Sequence, residues 1–106
     1  MKPTLSDEVR ETMTQVLSAG GFMTPEEAAW EVSVTVALAK ISQYERECAK
    51  FRHKYHESLV SLKERVENTI GAEDFAVEED LADWEFAEQA LALWKGRGEV
   101  LRRAIV

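Results

Sequence analysis

Three observations predict an all-α protein. The chain has 106 residues with only five glycines and two prolines. Its composition, 45% hydrophobic and 31% charged, is that of a packed chain rather than a disordered one. Apolar residues recur at steps of three and four through two long stretches, the spacing of helices that bury one stripe. A single helical domain is expected over residues 1–106, with helices near 6–19, 25–70 and 79–104.

The first helix opens at Ser6, a side chain able to cap free backbone N–H groups, and Asp7 and Glu8 follow where carboxylates favour the helix dipole. Leu5, Val9, Met13, Val16 and Leu17 form its apolar stripe. Gly20-Gly21 supplies a left-handed C-cap. The second helix starts within four residues of that stop. Thr24 is its N-cap, Pro25 suits its first position, and Glu27 completes a capping box. Met23 and Ala28 stand at the staple positions.

The segment "WEVSVTVAL" alternates at period two, a strand pattern when taken alone. Yet Trp30, Val34, Ala37, Ile41, Tyr44, Cys48, Phe51 and Tyr55 step by fours and threes, a seam at coiled-coil spacing. It continues as Leu59, Leu62, Val66 and Ile70, with one extra residue after Tyr55. No Gly or Pro falls between Glu26 and Ile70, so a helix is predicted throughout, with an irregularity near His56. Gly71 ends it. After an acidic connection, Trp84, Ala87, Leu91, Trp94, Gly98, Leu101 and Ile105 repeat the seam. This last helix is expected to fold back antiparallel on the second half of the rod as a helical hairpin. The stripe Trp30, Val34, Ala37 and Ile41 is left with little cover, so a homodimer completing the bundle there is expected.

The net charge is −7. Residues 72–106 hold four bases against nine acids, and a chain of this balance is a poor non-specific ligand for nucleic acid. No run approaches the roughly 20 apolar residues of a membrane span, and "MKPTLSDEV" lacks the apolar core of a signal peptide. Cys48 is the single cysteine, which leaves no internal disulfide and makes a cytoplasmic setting the expectation.

Eight carboxylates and no base lie between Glu73 and Glu88. Of these, Glu78, Glu79, Asp80 and Asp83, with Phe75 and Phe86, are the candidate partner-binding residues: acids speed encounter with a basic partner, and desolvated aromatics hold it. A solvated helix face is the plainer alternative. His53 and His56, three apart beside Cys48 and Glu57, lack a fourth ligand of clear standing, and Cys48 falls on the apolar seam. Paired acids of a helical metal hydrolase would need inward positions that are here apolar or small. No metal, cofactor or catalytic residue is expected.

The stretch "SDEVRETMTQVLSAGGFMTPEEAAWEVSVTVAL" resembles the two-helix portion of ribbon-helix-helix antitoxins, at Gly21, Phe22, Thr24, Glu26, Glu27 and Ala28. The remainder resembles small acidic helical proteins of prokaryotic toxin–antitoxin modules, with Lys54-Tyr55 mid-rod and Glu78, Glu79, Asp80, Asp83 and Trp84 opening the last helix. The resemblance implies a non-catalytic, antitoxin-like protein that neutralises a basic toxin through its acidic C-terminal region. The ribbon-helix-helix group reads DNA with a strand before the first helix, and here only "MKPTL", interrupted by Pro3, precedes it. DNA binding is therefore not expected. A dimeric DNA-binding autorepressor and a structural homo-oligomer are the alternatives.

Overall fold

The computed structural model describes residues 2–22, 24–69 and 75–105. Met23, Ile70, Gly71, Glu73 and Asp74, which carry parts of the expectations above, lie outside the described residues. All regular structure among the described residues is helical: α1 (Asp7–Ala19), α2 (Pro25–Tyr55), α3 (Leu59–Asn68) and α4 (Phe75–Arg102). The chain divides into two compact units, residues 1–36 and 37–106, with the boundary inside α2. No helix among the described residues is long and apolar enough to cross a membrane.

In the first unit the helix ends follow local chemistry. Ser6 accepts a hydrogen bond from the Val9 N–H at 3.2 Å. At the other end of α1, Gly21 has φ 91°, its N–H donates to the Ser18 carbonyl, and the Phe22 N–H donates to the Leu17 carbonyl at 2.9 Å. These paired bonds are a Schellman stop, and Gly21 adopts the left-handed conformation at no Cβ cost. Thr24 Oγ1 then accepts from the Glu27 N–H at 3.1 Å, a cap of about 1 kcal/mol. Within α1 no residue is buried: Val9, Met13 and Val16 all remain exposed, as does Leu5 just before it.

The second unit holds the core. Cys48, Phe51, Leu62, Trp84 and Ala87 are buried together, and Tyr44, Tyr55, Leu59, Val66, Val77, Leu81 and Leu91 pack around them. All but Val77 and Leu81 stand on the two predicted seams. Side-chain pairs run in opposite order along α2 and α4, Lys54 with Asp80, Arg52 with Glu88 and Glu45 with Lys95, so the helices are antiparallel. Farther along, a Cβ on Gly98 would lie 3.5 Å from Ile41 Cδ1, which makes Gly98 a point of close approach between them.

The helix expected over 25–70 is instead two helices. Tyr55 ends α2, His56 takes φ 55°, and its N–H donates to the Arg52 carbonyl at 2.8 Å. Ser58 then caps α3, accepting from the Ser61 N–H at 3.1 Å. Glu57 accepts from the Ser61 hydroxyl and from Arg65, which holds its carboxyl below the usual range. A left-handed non-glycine residue costs roughly 1–2 kcal/mol. The offset is Leu62, which is 0% exposed and brings α3 onto the core. The last helix begins at Phe75, four residues before the expected 79.

Candidate protein-interaction surface

The acids in the first half of α4 fall into two sets. Asp80 meets the Lys54 ammonium at 2.5 Å and accepts a hydrogen bond from the Tyr55 hydroxyl. Glu85 pairs with Lys63 at 2.9 Å. Glu88 lies 3.7 Å from Arg52 and accepts from Trp84 Nε1 at 3.3 Å. These three carboxylates fasten α4 to α2 and α3. Glu78, Glu79 and Asp83 are exposed and make no ion pair among the described residues.

The predicted aromatic anchors sit with the second set. Phe75 is 75% exposed and Phe86 62%, the latter edge-on to Tyr44 with ring centroids 6.1 Å apart. Phe86 and Asp83, with Glu47, Lys50 and Phe51, line a cleft of about 290 Å³. Of the six predicted partner-binding residues, then, five present themselves to solvent and Asp80 is held in an internal pair. Sequence reasoning did not single out Tyr44 or Lys50 here. Only the register of α2 on α4 brings them beside Phe86 and Asp83.

Asp80 also gives this face a pH dependence. The Lys54 ammonium first, and the Tyr55 hydroxyl second, hold the Asp80 carboxyl below its ordinary range. A depressed carboxylate contributes stability that is fully present above its unfolded pKa and is lost as pH falls through its folded one. Lys54 is raised by the same hydrogen bond, so its part is lost only at strongly alkaline pH. Asp80→Asn should therefore cost about 1 kcal/mol at neutral pH, a discounted figure because Lys54 is solvated. Melts from pH 7 to pH 3 should show the gap between variant and wild type closing below about pH 4. A gap that stays constant over that range would mean that the pair adds nothing to folding.

The other candidates resolve differently. Ala37 is 2% exposed within the single chain, Ile41 is half-buried near Gly98, and Trp30 and Val34 are half-buried. The exposed large apolar residues of that stretch are Val32, Val36 and Leu38. The His53 and His56 rings stand 6.1 Å apart, while Glu57 faces Arg65 and Cys48 lies in the core. No group of three His, Cys, Asp or Glu residues placed to hold a metal occurs among the described residues. Burial first, then Glu88, pushes the Cys48 thiol up to about 11, so it acts as a small apolar side chain.

No protein-family model, curated protein or solved structure matches the chain.

Proposed function

We propose that this chain is a non-catalytic protein-interaction module that docks a basic partner on the exposed face of the first half of α4. The observation that carries the reading is the division among the α4 acids. Asp80, Glu85 and Glu88 are engaged internally, whereas Glu78, Glu79 and Asp83 stand in solvent beside Phe75 and Phe86. Unpaired acids attract a cationic surface from a distance, and exposed aromatics supply the contact that lasts. In the antitoxin-like form suggested by the sequence resemblance, the partner is a basic toxin, neutralised stoichiometrically in the cytoplasm.

The test changes Glu78 and Glu79 to Gln and Asp83 to Asn together, which moves the net charge from −7 to −4. Solvated carboxylates contribute little to folding, so melts should shift by less than about 1 kcal/mol. Association with the basic protein that co-purifies from the native host should slow, and its salt dependence should flatten. Unchanged association kinetics would remove the acidic face from the mechanism.

A further inference from the structure

We propose that two copies of this chain pair through the exposed edge of α4, antiparallel, about a twofold axis near Leu93. The inference rests on the reading above and names a partner for the same face. The cationic, apolar surface that the acidic half of α4 would dock is present on the other half of the same helix in a second copy.

The first support is an apolar stripe that the fold leaves uncovered. Phe86, Leu93 and Val100 are 62%, 53% and 58% exposed and stand seven residues apart. Seven residues are close to two helical turns, so the three lie along one edge, spanning about 21 Å, at the spacing of a helix–helix seam. An antiparallel copy centred on Leu93 sets Phe86 level with the copy's Val100 at each end and Leu93 against Leu93. Such self-complementarity is what an isologous twofold contact requires.

Charge then selects both the occupant and its direction. From Phe75 to Glu88, α4 carries six acids and no base; from Gln89 to Arg103 there are four bases and one acid. A parallel copy would set like charge against like. An antiparallel one sets the acidic half against the basic half twice. Internal pairing sharpens the match, because Lys95 already faces Glu45 and Arg102 faces Glu99. That leaves Arg103 level with Asp83 of the copy, while Arg97, whose guanidinium lies 4.6 Å from the centre of the Trp94 ring, stands level with the copy's Gln89. The apolar stripe of α1 carries no such gradient.

Gly96 points the same way. It weakens the helix, and unlike Gly98 it has no atom of the described residues within 4 Å of a Cβ position to require it. It flanks the stripe, where a partner's backbone would make use of its missing side chain.

Sedimentation equilibrium on the pure 106-residue chain at micromolar concentration tests this. The wild type should weigh as a dimer. Leu93→Glu should weaken dimerisation by about tenfold or more while the far-UV circular dichroism stays unchanged. Reversing Arg103 to Glu should weaken it as well, and adding Asp83→Lys to the same chain should restore it. That rescue would not follow from a merely structural role, and it holds even if Leu93→Glu perturbs folding. A wild type monomeric throughout overturns the pairing and leaves a foreign basic protein as the partner. A dimer insensitive to all of these changes lies elsewhere, as on α1, and also overturns it. Because Phe86 serves both contacts, a foreign partner should dissociate the dimer. If the triple neutralisation of Glu78, Glu79 and Asp83 alters neither contact, the interaction reading itself fails.

Discussion

Trp84→Ala should destabilise the protein by about 3–5 kcal/mol, the range for emptying a large aromatic site in a core. Trp84 is 0% exposed. Its ring stacks on Phe51, with centroids 5.9 Å apart and 20° between planes, and on Tyr55 at 6.3 Å and 13°. Truncation removes both ring contacts at once and leaves a cavity between α2 and α4. It also leaves Glu88 without the indole donor. Trp84→Phe should recover part of the loss, because its single ring refills some of the volume but lacks the indole's second ring and its hydrogen bond to Glu88. Phe86→Ala, two residues along but 62% exposed, should change the melt by less than about 1 kcal/mol. Urea melts of the three variants make the comparison. A Trp84→Ala loss no greater than that of Phe86→Ala would mean that the indole is not the centre of the core.

The same pair of residues shows what the sequence makes legible. Trp84 stands on the three-four repeat with Ala87 and Leu91, and Phe86 stands off it, so periodicity alone assigns one to the core and the other to the surface. Helix starts and stops at Ser6, Gly21 and Thr24 were equally readable, because each is decided by hydrogen bonds within a few residues. The ion pairs were not. Lys54 with Asp80 and Lys63 with Glu85 depend on how separate helices register, and nothing local fixes that. Hence the acids looked uniform in the sequence, and the division between fastening and exposed carboxylates appears only in three dimensions.

The break at His56 lies between those cases. The extra residue in the apolar repeat located it, but the absence of Gly and Pro argued for an irregular helix rather than two. What the chain uses is a left-handed histidine followed by a serine cap, local signals of modest strength that become decisive once Leu62 has a core to enter.

That dependence makes a second large effect. α3 has ten residues, shorter than the roughly 12–15 needed for a helix to be even marginally stable alone. Leu62 is its only buried residue. Leu62→Ala should therefore cost about 2–5 kcal/mol, toward the upper end if the cavity does not collapse. The loss should be concentrated: amides of residues 59–68 should exchange with solvent faster than those of α2 and α4, since the Lys63–Glu85 pair that remains is solvated and holds little. Val60→Ala is the control, because Val60 is 65% exposed and its truncation should move stability by about 0.5 kcal/mol or less. Hydrogen exchange read by mass spectrometry, beside urea melts, separates the outcomes. If Leu62→Ala and Val60→Ala behave alike in both measurements, α3 is not held by the core. The reversal at His56 would then lack the burial energy that offsets its backbone cost, and a continuous helix through residue 56 would be the better description.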